Sequence, residues 1–507
     1  MAVAQRAADR PADVCLILEG SYPYARGGVS IWADSLIRSL PDMTFHLWCL
    51  VAQTKDLTPF YPLPRNVVGV TDVVLFEEPA DIHGKPPPPA FWDTVRTLHQ
   101  DKGNIPLRSD LLWGKLQEVL PKQSGPLPAR QLLLGPEAYR LLLEMYRERN
   151  EPLSFIDYFY TYLFTHLPLL KLLVAPIPPA RVYHAISTGY AGFLGCKARR
   201  LMRAPLLLTE HGIYTNERQV EISLADWIYS RRDRRIQVGR GSTTLKKIWI
   251  QMFEFLGRLT YEEVDHMTTL FGGNRDMEVR LGADPRKIEI IPNGVDLPLY
   301  AGIARRVDPE RPLVGLVGRV VPIKDIRTFI KACRVVADRL PQARFAVLGS
   351  TEQTPAYYQK CLEYRKLMNL EGKLEFTGNV NVVDWYGKLD VVALTSVSEA
   401  LPLTVLEAMA AGIPVVSTRV GACEELIFGR DDEDKALGPS GVIATVGNHQ
   451  EVGDAIVRIL SERTTREKMA QAGRERTRKY YDLKQIEARY GRLYKHWLDV
   501  GPRAGER

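Results

Sequence analysis

Short apolar runs that end in glycine or polar residues alternate along the chain with stretches of helical spacing. The first run, Val14–Gly20, predicts a buried parallel strand, and Ser30–Leu40 predicts the helix after it. The other runs that predict strands are ARVYHAIS, APLLLTEHG, DHMTTLF, KIEIIPNGVD, LVGLVGR, RFAVLGS, KLEFTGN, DVVALTS and IPVVSTR. Strands and helices that alternate in this way form parallel sheets with helices on both faces, so the pattern predicts an α/β fold.

The alternation occurs in two sets that meet near Val295–Arg305. A chain of 507 residues is too long for one hydrophobic core, so we expect two Rossmann-like domains, residues 1–297 and residues 298–480. Residues 481–507 predict a terminal helix and tail, because apolar residues from Leu483 to Trp497 repeat at helical spacing. This amphipathic helix must bury its apolar face, and it could cross back to the first domain to do so.

The alternation of strands and helices is lost in residues 75–180, which predicts a helical insertion in the first domain. Helical spacing within it predicts helices at Ser109–Leu120, Pro136–Arg149 and Ser154–Val174, and KPPPPA predicts a short polyproline loop. We expect this insertion to serve packing or docking, because nothing in it is typical of a catalytic site.

The composition is that of an ordinary soluble globular protein, with 45% hydrophobic and 25% charged residues. The formal net charge of +7 suits a phosphate-bearing partner or a membrane surface, although it also serves solubility. The six cysteines form no CxxC pair, so neither a zinc site nor a disulfide framework is indicated. The N-terminus lacks a signal-like apolar core, and His166, Pro168 and Lys171 interrupt the most apolar stretch, so we expect a cytoplasmic protein.

Two glutamates, Glu399 and Glu407, lie on either side of Pro402 in the stretch SEALPLTVLEAMAAG. The strand DVVALTS precedes Glu399, and a helix that stops at Gly412 holds Glu407 about one turn from its start. The proline keeps the two carboxylates off a common helical face, so each is expected to have its own partner.

The start of that helix offers the unpaired backbone amides of Leu403 and Thr404 to an anion. Ligands of open parallel sheets bind at the carboxyl ends of the strands, where this helix begins. Because carboxylates bind hydroxyl groups well, a ligand with a phosphate group between two sugars would use both glutamates and the helix start. The alternative is that Glu399 caps the helix and Glu407 lies on the surface.

Arg319 and Lys324 lie five positions apart after the predicted strand LVGLVGR. Two cations at the end of a strand could neutralise a pyrophosphate, the arginine through paired hydrogen bonds and the lysine as a point charge. Basic residues are common in loops, so this pair is informative mainly because the glutamate pair follows it about 80 residues later.

The order Gly318-Arg319-x4-Lys324 followed by Glu399-x7-Glu407 resembles the family 4 retaining glycosyltransferases of the GT-B fold. The resemblance is close from Leu313 to Trp497, with IPNGVD at the domain junction. In the N-terminal half, LILEGSYPYARGGVSIWADSLI, TEHGIYTNER and the insertion more specifically resemble the glycosyltransferases of bacterial Pel exopolysaccharide synthesis. The resemblance implies two Rossmann-like domains that face each other across a cleft.

The resemblance also implies roles for the charged residues of the C-terminal domain. Arg319 and Lys324 would hold the pyrophosphate of the donor and assist catalysis. Glu399 would contact hydroxyl groups of the donor sugar, and Glu407 would contact the ribose.

Backbone groups of Asn379 and Val380, after the strand KLEFTG, would hold the uracil in such a family member. One difference lies next to Glu399, where the family commonly has Glu-Gly-Phe-Gly and this chain continues with Ala400–Pro402. Side chains and a proline therefore replace the glycines beside the donor sugar.

Two N-terminal stretches supply the remaining candidates. Gly27 and Gly28 precede the helix near Ser30, where a glycine pair lets backbone approach a phosphate, although the pair could also be a flexible turn. The resemblance places this loop over the donor phosphates. Glu210 and His211 end the strand LLLTEHG, and the resemblance implies that His211 supports the reacting sugar while Glu210 is secondary.

Two charged stretches are interpreted as solvated surface. The densest basic region, residues 231–247, is most simply a solvated face, and contact with anionic lipid or a membrane partner is the alternative. Asp432 and Asp434 resemble a metal-binding DxD motif, but no other ligands accompany them, so no metal site is predicted.

We therefore expect a retaining hexosyltransferase that moves an N-acetylhexosamine or glucose from a UDP-sugar to a growing Pel-type exopolysaccharide. The UDP-sugar is a substrate, and neither a metal nor another cofactor is expected. The expected partners are the polysaccharide acceptor and an inner-membrane polysaccharide synthase complex, which would hold the protein at the membrane periphery, whereas nucleic acid is not expected. A GT-B nucleotide-sugar epimerase and a non-catalytic scaffold are the alternatives.

Overall fold

The structure is a computed structural model that describes residues 10–77, 92–93, 95–96, 113–114, 129–148, 153–224, 243–308 and 310–501. The chain divides into two compact units. The first unit consists of Met1–Thr269, Met277–Glu289 and Tyr490–Arg507, and the second consists of Leu270–Asp276 and Ile290–Arg489. Three of the sequence predictions lie wholly or largely outside the described residues, namely the helix Ser109–Leu120, the KPPPPA loop and the basic region 231–247.

From Ala12 to Ile290, strands and helices alternate on either side of a helical segment. In chain order the elements are β1 (Ala12–Glu19), α1 (Gly28–Ser39), β2 (Phe45–Val51), β3 (Val67–Val74), α2 (Ala129–Leu134), α3 (Pro136–Arg147), α4 (Phe155–Val174), β4 (Ala180–Ala185), α5 (Tyr190–Met202), β5 (Leu206–Glu210), α6 (Tyr214–Leu224), α7 (Thr243–Glu263), β6 (His266–Thr269), α8 (Gly272–Arg280) and β7 (Ile288–Ile290).

The strands of this part form one sheet in the order β3-β2-β1-β4-β5-β6-β7. Neighbouring strands from β3 to β6 pair in parallel. The central strand β1 is apolar at successive positions, and Val14–Leu18 is buried on both faces, as a strand covered by helices requires. The predicted buried strand is thus confirmed. The order reverses between β1 and β4, so the carboxyl end of β1 lies at a topological switch point.

The helical segment between β3 and β4 agrees with the sequence pattern where it is described. The predicted helices Pro136–Arg149 and Ser154–Val174 appear as α3 and α4, and the Ser154 side chain caps α4 by accepting from the Asp157 amide. A small apolar core contains Trp92, Leu132, Ala138 and Leu141. Within the described ranges, the structure has no helix with both the length and the apolar character needed to cross a membrane.

From Leu297 onward, strands and helices alternate again. The elements are α9 (Leu297–Ala301), β8 (Leu313–Val317), α10 (Ile326–Arg339), β9 (Arg344–Leu348), α11 (Pro355–Leu367), β10 (Leu374–Gly378), α12 (Val383–Tyr386), β11 (Val391–Leu394), α13 (Leu403–Ala410), β12 (Val415–Thr418), α14 (Cys423–Phe428), α15 (Asp432–Lys435), β13 (Gly441–Ala444), α16 (His449–Ser461), α17 (Arg463–Tyr480) and α18 (Leu483–Val500).

The second sheet has the order β10-β9-β8-β11-β12-β13, and all of its neighbouring strands pair in parallel. The order reverses between β8 and β11, which makes the carboxyl ends of these two strands the switch point of this sheet. Buried apolar residues pack on both faces of the sheet in two clusters. The predicted parallel α/β architecture is confirmed in both units.

The terminal helix α18 buries an apolar face, as its spacing predicts. Ile486, Tyr490, Leu493 and Tyr494 are buried, and the Tyr494 hydroxyl lies 2.7 Å from His184 Nδ1 of β4. From Tyr490 onward the helix belongs to the first unit, and its earlier residues belong to the second.

Candidate functional site

Arg319 and Glu399 follow the two strands that flank the switch point of the second sheet. Arg319 comes two residues after the end of β8, and Glu399 comes five residues after the end of β11. Because ligands of open parallel sheets bind outside such a switch point, this edge of the second unit is the candidate site.

Lys324 and Glu399 form an ion pair at this edge, with Lys324 Nζ 2.5 Å from Glu399 Oε1. The Ser396 hydroxyl donates to the same carboxylate oxygen at 2.5 Å. The side chains of the pair are 19% and 14% exposed. The Thr395 hydroxyl donates to the carbonyl oxygens of Lys324 and Asp325 at 3.0 Å, which ties the loop after β8 to the end of β11. The structure thus brings together two of the predicted residues, from positions 75 residues apart.

Arg319 is exposed and donates from Nη1 to the Gln353 side chain at 2.9 Å. The loop that holds it packs closely on the loop after β9. Gly349, at φ +154°, is the contact point, because a Cβ there would lie 2.2 Å from the Gly318 carbonyl oxygen. The amide of Gly318 also donates to the Leu348 carbonyl at 2.9 Å. These backbone contacts fix the main chain of Arg319 while its guanidinium remains open to solvent.

Asn379 and Val380 follow the edge strand β10 of the same sheet. Asn379 is exposed and Val380 is half-buried. Gly378 precedes them at φ +67° and accepts a hydrogen bond of 3.1 Å from the Gly349 amide. The two residues therefore share with Arg319 the edge at the carboxyl ends of the strands.

The helix α13 begins at Leu403, and Pro402 is its N-cap residue rather than its first helical residue. Within the helix, the Val405 amide donates to the Pro402 carbonyl at 3.1 Å, so the amides of Leu403 and Thr404 precede the first intrahelical bond. No acidic side chain lies in the first turn. That the amides of Leu403 and Thr404 bind an anion stays a prediction.

Gly421 packs closely against the turn between Glu399 and α13. This glycine has φ +49°, and a Cβ there would lie 2.2 Å from the carbonyl oxygens of both Glu399 and Ala400. The Ala422 amide donates to the Ala400 carbonyl at 2.8 Å. The glycine that allows close approach therefore lies in the neighbouring loop after β12.

Glu407 has neighbours different from those of Glu399. The Tyr386 hydroxyl donates to Glu407 Oε2 at 2.7 Å, and the ring of Tyr300 packs edge-on against Tyr386 at 5.6 Å. Burial raises the pKa of Glu407, and hydrogen bonds from Tyr386 and Tyr300 oppose that rise. Sequence reasoning missed both tyrosines, because neither belongs to the motif and both lie far from Glu407 along the chain.

In the first unit, Gly27 is the N-cap residue of α1 and Gly28 its first residue, and both are exposed. A Cβ on either would have no neighbour within 4 Å, and neither has a left-handed φ. No contact within the described residues requires glycine here. The proposed need for close backbone approach to a phosphate stays a prediction.

His211 follows β5 and packs edge-on against Trp32, with ring centroids 4.7 Å apart. Its Nε2 is buried and has no hydrogen-bond partner among the residues that the structure describes. Burial lowers the pKa of His211 to about 4, so the ring is neutral at pH 7. A role for His211 at the reacting sugar stays a prediction.

Glu210 is fully buried, with Oε2 accepting from the Tyr261 hydroxyl at 2.5 Å and Oε1 from the Thr188 hydroxyl at 3.2 Å. Burial raises the pKa of Glu210 to about 7. Burial, together with the charge of Glu210, raises the pKa of nearby Glu278 to about 8, and a hydrogen bond with the Thr269 side chain opposes the rise.

The prediction that Asp434 belongs to a solvated loop is wrong. Asp434 is fully buried, and its Oδ1 lies 2.5 Å from Nε of the equally buried Arg476. The same guanidinium donates to the carbonyl oxygens of Ile427 and Gly438 at 2.9 Å. Only Asp432 is exposed, as predicted. Asp434 thus anchors α17 on α14 and α15.

A family model described as "Domain of unknown function (DUF3492)" matches residues 12–286, which is more than half of the 507 residues. A second family model, described as "Glycosyl transferases group 1", matches residues 311–462, which include Arg319, Lys324, Glu399 and Glu407.

Two curated relatives match parts of the chain. The D-inositol 3-phosphate glycosyltransferase of Kribbella flavida is 27% identical over 313 residues, which are 58% of this chain and 66% of that protein. The sulfoquinovosyl transferase of Arabidopsis thaliana is 34% identical over 176 residues, 34% of this chain and 31% of that protein. Each match thus spans less than two thirds of the relative's own length.

Solved structures match the chain along almost its whole length. Sucrose-phosphate synthase from Thermosynechococcus elongatus has a TM-score of 0.58 at 17% identity, and the match covers 96% of this chain and 99% of the synthase chain. Anabaena HepE in complex with UDP and glucose has a TM-score of 0.57 at 15% identity, and the match covers 95% of this chain and 99% of the HepE chain. These likenesses and the two parallel sheets show the predicted GT-B fold of two Rossmann-like domains.

Proposed function

Since the chain belongs to the family described as domain of unknown function DUF3492 and also matches the glycosyl transferases group 1 model, we propose that it is a retaining glycosyltransferase that uses a UDP-sugar. The observation that carries the proposal is the Lys324–Glu399 ion pair, which lies at the switch point of the second sheet and just before the start of α13. HepE, which resembles the chain in fold, is known in complex with UDP-glucose, and this supports a uridine nucleotide as the donor.

Arg319 and Lys324 would bind the pyrophosphate of the donor, and the amides of Leu403 and Thr404 would bind a phosphate oxygen. A pyrophosphate brings at least two negative charges, so it competes with Glu399 for Lys324. When Lys324 turns to the phosphates, the Glu399 carboxylate is released to accept hydrogen bonds from hydroxyl groups of the donor sugar. The ion pair thus holds both side chains at the site before the donor arrives.

Glu407 would accept hydrogen bonds from the ribose hydroxyls. The Tyr386 hydroxyl, which donates to Glu407 Oε2, would hold the carboxylate in place. The backbone after β10, at Asn379 and Val380, would hold the uracil. All of these groups belong to the second unit.

Catalysis in this proposal comes from position and charge rather than from a nucleophile of the enzyme. Arg319 and Lys324 neutralise the negative charge that grows on UDP as the glycosidic bond breaks, which lowers the barrier without a metal ion. The departing phosphate oxygen would accept the proton of the acceptor hydroxyl. Among the residues that the structure describes, no group of three His, Cys, Asp or Glu side chains could hold a metal ion.

The acceptor is proposed to be a growing exopolysaccharide, because the N-terminal sequence resembles PelF of bacterial Pel synthesis. The transferred sugar would then be an N-acetylhexosamine or glucose. We further propose that the protein works in the cytoplasm, beside an inner-membrane polysaccharide synthase complex.

Calorimetry with UDP, GDP and ADP tests the nucleotide, and a panel of UDP-sugars with released UDP as the readout tests the activity. We expect UDP to bind most tightly, and one UDP-sugar to release UDP when acceptor glycan is present. Equal affinities for the three nucleotides would remove the uridine assignment. Conversion of the sugar without release of UDP would identify an epimerase, and binding with no turnover on any donor would support a scaffold.

A further inference from the structure

We call residues 293–306 the junction segment, because the chain passes from the first unit to the second just before them, between Glu289 and Ile290. The segment contains most of the motif IPNGVD and all of α9. It lies about 100 residues before the two motif glutamates in sequence, and the glutamate motif does not include it. Within the second unit, however, it contacts the groups that carry both glutamates.

Near its start, the junction segment holds the turn that carries Glu399. The Asn293 side-chain amide donates from Nδ2 to the Leu401 carbonyl at 3.4 Å, and Leu401 is the second residue after Glu399. The neighbouring Ala400 carbonyl accepts from the Ala422 amide at 2.8 Å. Two successive carbonyl groups of the turn are therefore fixed, one by the loop after β12 and one by the junction segment.

The main chain next to Asn293 is itself fixed. The Val295 amide donates to the Tyr481 carbonyl at 2.8 Å, and the Leu483 amide donates to the Val295 carbonyl at 3.0 Å. At Gly294, a Cβ would lie 2.5 Å from the Leu483 Cα, so the two stretches of backbone are in close contact. The side chain of Asn293 thus extends from an anchored backbone and can hold the turn in place.

Farther along, the junction segment contacts Glu407. The Tyr300 side chain, on α9, forms a hydrogen bond with the Glu407 carboxylate, which also accepts from the Tyr386 hydroxyl at 2.7 Å. The rings of Tyr300 and Tyr386 pack edge-on at 5.6 Å. Arg305 donates from Nη1 to the Tyr386 carbonyl at 2.8 Å. The junction segment therefore supplies one of the two tyrosines at Glu407 and anchors the backbone of the other.

We propose that Asn293 and Tyr300 are positioning residues of the donor site. Asn293 sets the turn that carries Glu399, and Tyr300 sets the carboxylate of Glu407. Neither residue is required to touch the donor, because each acts through its glutamate. The inference rests on the proposed function, since the two glutamates have the roles proposed for them only if a UDP-sugar binds there.

The test for Asn293 uses the full chain, with calorimetry on UDP and with UDP released from UDP-glucose and UDP-N-acetylglucosamine in the presence of acceptor glycan. Asn293→Ala removes one neutral hydrogen bond from the turn, so kcat should fall about 2- to 10-fold. The Kd for UDP should change by less than about 2-fold, because UDP lacks the sugar that Glu399 is proposed to contact. Asn293→Asp keeps the shape but loses the donor, and should lower kcat at least as much.

Asn448→Ala is the matched control for Asn293→Ala. Asn448 lies in the same unit, and its Nδ2 donates to Glu451 at the start of α16 at 2.7 Å. The control should lower the Tm and leave kcat unchanged. Circular dichroism and the Tm of each variant show that it is folded.

Tyr300→Phe should have the opposite kinetic effect. It leaves the turn of Glu399 in place and loosens Glu407, so the Kd for UDP should rise about 2- to 10-fold while kcat at saturating donor stays the same. Tyr480→Phe is the matched control, because the Tyr480 hydroxyl also donates to a glutamate, Glu433, at 3.4 Å in the same unit. It should leave the Kd for UDP unchanged.

The pH dependence of UDP binding separates positioning from a general loss of stability. The hydroxyl groups of Tyr300 and Tyr386 face Glu407 from α9 and α12 and oppose the rise that burial causes in its pKa. Asp296 acts on Tyr300, and Arg474 lies at the C-terminal end of α13. Without the Tyr300 hydroxyl the pKa of Glu407 should rise further. On acidification, UDP affinity should therefore begin to fall at a higher pH in Tyr300→Phe than in the original protein or in Tyr480→Phe.

The inference is overturned if Asn293→Ala or Tyr300→Phe has the kinetics of its control, or if Tyr300→Phe leaves the pH profile of UDP binding unchanged. When the original protein binds UDP and turns over, those results remove the positioning roles alone and leave the proposed function in place. An original protein that neither binds UDP nor releases it from a donor overturns the proposed function, and the positioning roles with it.

Discussion

At the scale of single residues, the different neighbours of the two motif glutamates predict different kinetic effects. Glu399→Gln removes the negative partner of Lys324 and weakens hydrogen bonds at the reacting sugar, so kcat should fall. Glu407→Gln weakens a ribose contact that ground state and transition state share, so KM should rise. A hydrogen bond to a charged group contributes about 1.5–3 kcal/mol, and each effect should be on the order of 10- to 100-fold in steady-state kinetics.

Lys324→Ala supplies the comparison within the same site. It should lower kcat more than Glu407→Gln does, because charge grows on the departing UDP as the bond breaks. If both glutamine variants keep normal kcat and KM, the motif is a structural feature of the turn and helix, and the proposed donor site is wrong.

A second prediction at this scale concerns pH and Glu278. Burial and the charge of Glu210 raise the pKa of Glu278 to about 8, above the 4.5 of an unperturbed glutamate. The folded state therefore retains a proton that the unfolded state loses. The contribution of Glu278 to stability is greatest below pH 4.5 and is lost as the pH rises toward and through 8.

Glu278→Gln removes this titration and keeps the shape of the side chain. The Tm of the variant, measured relative to the original protein, should therefore increase steadily from pH 5 to pH 8. Taking the difference at each pH cancels the titration of groups that do not interact with Glu278, and what remains is the titration of Glu278 together with its effect on Glu210, whose pKa is raised to about 7. A difference that is constant with pH would mean that Glu278 is ionised in the folded protein throughout this range.

At the scale of elements, the loop after β12 sets the position of the turn that holds Glu399. In Gly421→Ala, the new Cβ would lie 2.2 Å from two carbonyl oxygens of that turn, so the turn must move and kcat should fall at least 10-fold. Gly447→Ala is the control, because Gly447 also has a left-handed φ, +76°, but has open space around it. It should lower stability by about 1–2 kcal/mol and leave kcat unchanged.

Equal loss of activity in the two alanine variants would contradict this prediction. Circular dichroism spectra, together with the Tm, would show that Gly421→Ala is folded. The comparison therefore separates a displaced turn from backbone strain alone.

Elements with strong local patterns could be predicted from the sequence, and contacts between distant residues could not. The apolar run of β1 and the helical spacing of α3 and α4 agree with the structure. The sequence analysis did not predict three strands, β2, β3 and β13. The edge strand β3 reads VVGVTDVV and is mostly half-buried, so its glycine and polar residues hide the strand signal. The run FHLWCLV of β2 is apolar and almost wholly buried, so its pattern was sufficient and the omission was an error. The polar sequence around Asp434 predicts an exposed side chain, but Arg476, 42 residues later, forms a buried ion pair with it.

The same limit applies to the candidate site. The sequence predicts that Arg319, Lys324, Glu399 and the start of α13 lie at carboxyl ends of strands, because a strand precedes each of them. It does not predict Ser396 and Tyr386 as partners of the glutamates, since only folding brings these hydroxyl groups to them.

At the scale of the whole molecule, the two units have separate hydrophobic cores, and the nucleotide contacts proposed for Arg319, Lys324, Glu407 and the start of α13 lie in the second. UDP should therefore raise the temperature of an unfolding transition that belongs to the second unit. At 100 times its Kd, a ligand stabilises by about 2.7 kcal/mol, which corresponds to a shift of about 5–10 °C for a unit of this size. Scanning calorimetry measures it, with GDP and ADP giving smaller shifts.

Two control experiments test whether the shift in unfolding temperature comes from UDP bound at the proposed site. The double variant Arg319→Ala and Lys324→Ala should lose most of the shift, because these two cations are proposed to bind the pyrophosphate. EDTA should leave the shift intact, because the proposed site neutralises the phosphates with side chains and backbone amides rather than with a metal ion. A shift that disappears with EDTA and returns with magnesium or manganese would contradict the metal-independent site, and a full shift in the double variant would place the nucleotide elsewhere.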